Sequence, residues 1–276
     1  MEYIDFSSKK FEEVKLVIND FESKYLNQKI NKEEIDNIIF SLQNDKRKNV
    51  NTLSNKLINF MNNHDNEVER VKALYDFDKS FGSYDYIAGV DEVGRGPLAG
   101  PIVGAAVVLN LECKDSQDLL LYINDSKKLS EKLRKKLSEI IKKTAVAYNI
   151  AVIDNLDIDK KGIAWCNNQV FVQSCNSLKV KPSLVLSDGY PIKNINIKNE
   201  FVIKGDTKSA NIACASIIAK VFRDELMKNY AKIYPEYDFE SNVGYGTKEH
   251  IDAIKKYGPC PIHRRCFLNN IIGQNN

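Results

Sequence analysis

Residues 86–109 read YIAGVDEVGRGPLAGPIVGAAVVL, and no other stretch limits the fold as tightly. Residues 86–90 have the length and β-branched content of a buried strand, yet they lead straight into two adjacent carboxylates, Asp91 and Glu92. Neighbouring carboxylates at a buried strand end repel each other and resist desolvation, so a cation or a proton-transfer task is needed to keep them there. For an isolated pair a solvated strand end would be the plainer explanation, but the next residues shift the balance. Gly94, Arg95 and Gly96, followed by Pro97, Gly100, Pro101 and Gly104, make a turn stripped of side chains, with Arg95 its only charge. Carboxylates beside a glycine-flanked arginine suit a metal ion and a phosphate in one place. Residues 102–109 form a second apolar run, close enough for antiparallel pairing with the first.

The 276 residues, 43% of them hydrophobic, are enough for one large domain or a medium domain with an appendage. No apolar run reaches membrane-spanning length, and MEYIDFSSKK lacks the basic start and apolar core of a secretory signal, so a cytoplasmic location is expected. The six cysteines form no CxxC pair and are read as reduced thiols. Cys260, His263 and Cys266 alternate metal-ligand types, but a structural zinc needs four ligands and no fourth is spaced nearby.

The formal charge of +3 is unevenly spread, with −2 over residues 1–80 and +5 over residues 81–276. The basic excess thus travels with the carboxylates, as in a domain that handles a polyanion. Before it, apolar stripes at helical spacing recur: Phe11, Val14, Ile18 and Phe21; Ile35, Ile38, Ile39 and Leu42; Val50, Leu53, Leu57, Phe60 and Met61. A fourth helix is predicted over residues 67–77, and Gly82 and Ser83 mark the boundary of an all-helical N-terminal extension.

Further on, Ser130 is placed to cap a helix whose inner face is Leu133, Leu137, Ile140 and Ile141 and whose outer face is basic. Lys127 and Lys128, just before it, are candidate phosphate contacts. A strand is predicted over residues 146–153 and one long helix over residues 156–178. Two short apolar runs, 184–186 and 201–203, lead to Asp188 and Asp206, so three strands each deliver an aspartate to one sheet edge. Ser209 opens a helix over residues 210–230, and a last helix over residues 248–257 follows the turn Gly244, Tyr245, Gly246. Oxygen ligands without histidine point to Mg²⁺ or Mn²⁺, two of which suit in-line phosphodiester displacement.

The run GVDEVGRGPLAGP resembles the opening signature of bacterial ribonuclease HII, a type 2 ribonuclease H. Further matches follow in order: NDSKKLS at 124–130, SDG at 187–189, KGD at 204–206, residues 209–224, VGYGTKEH at 243–250 and HRRCF at 263–267. Cys266 stands where that family usually has serine. Covering residues 86–268, the resemblance implies an α/β fold, a ribonuclease H-like mixed five-stranded sheet flanked by helices, in a catalytic domain over residues 81–276 that ends in a helical segment. It implies that Asp91, Glu92, Asp188 and Asp206 are the catalytic, metal-binding tetrad. It further implies that Gly94, Arg95 and Gly96 read the ribose and that Tyr245 stacks on the sugar at the RNA-to-DNA step. The implied activity is endonucleolytic hydrolysis of RNA in RNA–DNA hybrids and cleavage 5′ of single ribonucleotides in duplex DNA, leaving 5′-phosphate and 3′-hydroxyl ends. The implied setting is ribonucleotide excision repair. A monomer is expected, and no protein partner is named by the sequence. The sister class, ribonuclease HIII, fits less well, because GRG stands where that class departs and the N-terminal segment reads as helical. A catalytically silent nucleic-acid-binding module would not need four intact carboxylates.

Overall fold

The computed structural model describes residues 4–113 and 115–273. Two compact units divide the chain: residues 1–72 with 114–121, and residues 73–113 with 122–276. The expected boundaries at 1 and 276 lie outside the described residues. Among the described residues no helix is long and apolar enough to cross a membrane.

The first unit is built on helices α1 (Phe11–Leu26), α2 (Lys32–Gln43) and most of α3 (Lys48–Lys79). Asn31 and Glu34 form a reciprocal capping box that starts α2, satisfying two otherwise orphaned N–H groups. The apolar stripes meet in one core of Val14, Ile18, Phe21, Ile38, Leu42, Val50, Leu53 and Leu57, joined by Phe6. The third stripe and the separately predicted fourth helix belong to one continuous helix. Neither glycine nor proline occurs between residues 48 and 79, so the polar residues 62–66 stay helical.

The second unit carries a five-stranded sheet in the order β3-β2-β1-β4-β5. Its strands are β1 (Ile87–Val93), β2 (Ile102–Val108), β3 (Ala147–Ile153), β4 (Leu184–Asp188) and β5 (Lys198–Val202). β1, β2 and β3 pair antiparallel, whereas β4 runs parallel to both β1 and β5, which makes the sheet mixed. Helices α4 (Glu131–Thr144), α5 (Asn155–Lys161), α6 (Ile163–Asn176) and α7 (Ala210–Ile233) follow or separate the strands. The single helix predicted over 156–178 is split into α5 and α6 at Gly162, whose φ of 80° leaves the helical region.

Opposite faces of the sheet bury different helices. Ala88 and Val90 pack with Cys166, Val170 and Phe171 of α6. On the other face Gly89 lets α7 approach so closely that a Cβ would lie 2.2 Å from the Asn211 carbonyl carbon and the Ile212 nitrogen. Ser209 caps α7, its hydroxyl accepting from the Ile212 N–H. Helices α8 (Phe239–Asn242), α9 (Lys248–Tyr257) and α10 (Asn269–Ile272) complete the unit, so α9 is followed by one more short helix. Residues 262–264 return to the loop between β1 and β2, where the Arg264 N–H donates to Leu98 O and the Gly100 N–H to Ile262 O.

Candidate active site

Alternation along β1 turns Asp91 to the same face as Gly89, toward α7. Asp91 is buried there, inside the strand rather than at its end, because β1 continues to Val93. Its carboxylate accepts from the Glu92 N–H at 2.7 Å. The Ser216 hydroxyl of α7 contacts Asp91 and also lies 3.0 Å from the Ser126 hydroxyl, so α7 links the loop before α4 to this carboxylate.

Asp188 is the final residue of β4, the parallel neighbour of β1, and Val90 pairs with Ser187 in the register. One Asp188 oxygen accepts from the Gly205 N–H at 2.7 Å. The fourth carboxylate arrives differently from the sequence expectation. Only Val202 of β5 is buried, the strand stops there, and Lys204 turns the chain through a left-handed conformation before Asp206 appears in a short 3₁₀ turn, Gly205–Thr207.

Asp91, Glu92, Asp188 and Asp206 line one cleft of about 320 Å³ together with Ser126, Lys127, Ser216, Lys220 and Tyr245. All four carboxyls are held above their ordinary range. Burial drives Asp91 well up, with the Glu92 and Asp188 charges adding to it. Burial and Asp188 also raise Glu92 against the opposing pull of Arg95, whose Nη1 lies 3.6 Å from Glu92 Oε1. Asp188 is raised mainly by burial, and Asp206 by burial and then by Asp188. Burial is the leading cause in all four, so ionising the cluster is costly unless a cation shares the cleft.

An all-oxygen donor set in that condition fits a hard divalent cation. Among the described residues, no group of three His, Cys, Asp or Glu side chains is drawn together into a metal cage. Mg²⁺-type sites take few protein ligands and keep several waters, so a loose cluster is compatible with such an ion.

Among the candidate substrate contacts, Lys127 and Tyr245 line the cleft, whereas Lys128 does not, although its charge reaches Asp206. Arg95 and Gly96 are exposed beside it. The Arg95 guanidinium also lies 5.2 Å from the Tyr190 ring centroid. A Cβ on Gly96 would have the Tyr245 ring as its neighbour at 3.9 Å, so the two glycine turns, far apart in sequence, adjoin in space. Gly94 is buried, and the space its side chain would need is occupied by Arg223, whose Nε would lie 2.4 Å from a Cβ. Ser126, Ser216 and Lys220 escaped sequence reasoning. Ser126 adjoins Lys127, and Ser216 and Lys220 lie seven and eleven residues past the α7 cap; nothing in composition separates them from ordinary helix and loop residues.

The Cys260–His263–Cys266 trio is not a cluster. The Cys260 N–H donates to His263 Nδ1 at 3.0 Å, and His263 Nε2 lies 3.0 Å from His250 Nε2. Cys266 is exposed elsewhere, its N–H donating to Asp159.

A family model described as Ribonuclease HII matches residues 88–270. Ribonuclease HII of Clostridium perfringens strain 13 is 59% identical over 256 residues, covering 93% of either chain. Ribonuclease HII of Clostridium beijerinckii is 64% identical over 231 residues, covering 84% of this chain and 85% of the relative. The crystal structure of ribonuclease H2 from Pyrococcus horikoshii OT3 superposes with a TM-score of 0.57 at 26% identity, over 68% of this chain and 97% of that one. With the mixed sheet and the carboxylate cleft, these likenesses establish that the chain belongs to the ribonuclease HII family and is a ribonuclease H-type nuclease.

Proposed function

We propose that this protein hydrolyses the RNA strand of RNA–DNA hybrids and nicks duplex DNA on the 5′ side of a single embedded ribonucleotide, leaving 5′-phosphate and 3′-hydroxyl ends. The observation that carries this reading is one cleft that joins four charge-strained carboxylates to Lys127 and Tyr245, with Arg95 and Gly96 at its edge. Asp91, Glu92, Asp188 and Asp206 would hold two Mg²⁺ or Mn²⁺ ions. Such ions, when bound, supply Lewis acidity at the phosphodiester and lower the pKa of a coordinated water.

The protein's own groups do the rest. Asp91 and Asp188 come from adjacent parallel strands, so their spacing is fixed by the sheet rather than by a loop. Lys127, and at longer range Lys128, offset phosphate charge. Arg95 and the backbone of its turn address the ribose, whose 2′-hydroxyl is what separates RNA from DNA. Tyr245, about two-fifths exposed at 41%, offers a ring face for stacking on the sugar that follows. Residues 81–276 are proposed to carry catalysis and residues 1–80 to be a helical extension.

The test is cleavage of two labelled duplexes, one with a single ribonucleotide and one a long hybrid, with Mg²⁺, Mn²⁺ or a chelator. Divalent-dependent nicking of both, with a 5′-phosphate on the ribonucleotide, is expected. Binding without nicking under every metal condition would overturn the reading.

A further inference from the structure

Two arginines near the cleft are fully buried and never meet a carboxylate. Arg223 on α7 and Arg264 in the returning C-terminal segment are both completely inaccessible, and among the described residues neither forms an ion pair. Each donates from all three guanidinium nitrogens to main-chain carbonyls. Arg264 donates from Nε to Gly100 O at 2.9 Å, from Nη1 to Arg95 O at 3.0 Å and from Nη2 to Gly94 O at 2.6 Å. Arg223 donates from Nε to Pro101 O at 3.0 Å, from Nη1 to Val243 O at 2.9 Å and from Nη2 to Ala99 O at 3.1 Å.

Burying two like charges side by side is costly, and well-packed apolar residues of similar volume would avoid the penalty. Burial and the neighbouring Arg223 charge indeed push Arg264 down to about 9. What an apolar residue would not supply is geometry. A guanidinium holds five N–H donors in one rigid plane, so three carbonyls bonded to one fork are fixed relative to each other.

A trans peptide is planar, with its C=O and N–H pointing in opposite directions. Drawing the Gly94 and Arg95 carbonyls inward onto Arg264 therefore turns the N–H groups of Arg95 and Gly96 outward. Among the described residues, neither N–H donates to a protein acceptor. Arg223 meanwhile bridges the segment after this turn to Val243, at the base of the turn that carries Tyr245. Gly94 is the residue that admits the bridge, since it combines a φ of 99° with the close approach of Arg223.

We propose that Arg264 and Arg223 are positioning residues: Arg264 presets the Arg95 and Gly96 N–H groups as donors to the ribose, and Arg223 locks that turn in register with Tyr245. This rests on the ribose-reading role of the two turns given above. The guanidiniums touch no substrate; they act through backbone.

The test compares wild type with Arg264→Lys, Arg264→Ala, Arg95→Ala and Tyr245→Ala on the two duplexes. Lysine keeps the charge and loses the fork. For Arg264→Lys the expected result is a loss of kcat/KM of roughly ten- to hundredfold on the single-ribonucleotide duplex, the scale of a small misplacement, and a lesser loss on the long hybrid. Millimolar guanidinium, but not an equal concentration of potassium ion, should partly restore Arg264→Ala. If Arg95→Ala and Tyr245→Ala change the ratio of the two rates while a folded Arg264→Lys does not, the positioning role is wrong. If none of the variants changes that ratio, ribose reading by these turns fails first. Should the Arg264 variants not fold, backbone relaxation in the free wild-type enzyme decides. Arg95 and Gly96 amide order parameters near about 0.85 support a preset turn, and values below about 0.6 overturn it.

Discussion

The Gly205 N–H donates to Asp188 Oδ1 at 2.7 Å, so the turn that carries Asp206 is tied to the end of β4 by one of the candidate ligands itself. Gly205 has no room for more. A Cβ there would lie 2.6 Å from Ile212 Cδ1 and 3.2 Å from Asp188 Oδ1. The isoleucine tip can rotate away, but the carboxylate must then yield as well. Gly205→Ala is expected to cost about 1–3 kcal/mol of stability through overpacking. Its cleavage rate should fall by roughly tenfold or more in protein that is still folded at the assay temperature. Melting temperature and single-turnover cleavage together check this, and a wild-type rate would show that the Asp188–Asp206 spacing does not matter.

Tyr245 is held by its backbone. Its N–H donates to Asn242 O at 2.9 Å and its carbonyl lies 2.8 Å from His250 Nδ1, which leaves the ring free over the cleft. Tyr245→Ala should lose about 1–3 kcal/mol of productive binding, the size of a stacking contact, and Tyr245→Phe much less. The loss should be heavier on a single embedded ribonucleotide than on a long hybrid, because only the former depends wholly on one junction. Equal losses on both substrates would mean that Tyr245 packs and does not read the junction.

Asp78 sets a pH dependence of stability. Fully buried, it accepts from the Asn211 N–H and Nδ2, both at 2.9 Å, with the Ser209 hydroxyl and the Ala210 N–H also acting on the carboxyl. Burial pushes it up from 3.8 to about 6. The native chain therefore binds this proton more tightly than the unfolded chain does. Its stabilising contribution is complete below about pH 4 and is lost as pH rises through about 6, a change of about 3 kcal/mol. Asp78→Asn removes that proton. The stability difference between variant and wild type, from denaturant unfolding at pH 4 and pH 7, should shift in favour of Asn at the higher pH; parallel stabilities at the two values would contradict it.

Much of this architecture was legible in the residues. The antiparallel β1–β2 pair and the glycine turn between them, the β4 strand ending in Asp188, the Ser209 cap and the three N-terminal stripes follow from periodicity and turn chemistry. Asp206 was expected at the end of an apolar strand over 201–203; β5 instead stops at Val202, and a left-handed Lys204 intervenes before the carboxylate. The continuity of α3 was hidden by a polar stretch that breaks the apolar period without breaking the helix. Arg223 and Arg264 lie within matched segments, but their role was not legible. An arginine in a basic segment reads as a phosphate contact, and what buries these two is a set of carbonyls gathered from Gly94 to Val243, known only once the chain is folded.

The central claim, that carboxylates brought to one sheet edge perform divalent-dependent ribonucleotide cleavage, is tested most directly by Asp188→Asn. Nicking of a duplex with one ribonucleotide should be measured for wild type and variant across a Mg²⁺ and a Mn²⁺ titration. The account predicts that wild type nicks only with divalent ion, and that the variant, with an unchanged fold by circular dichroism, loses activity by orders of magnitude at every metal concentration. Wild-type-like nicking by Asp188→Asn would contradict it.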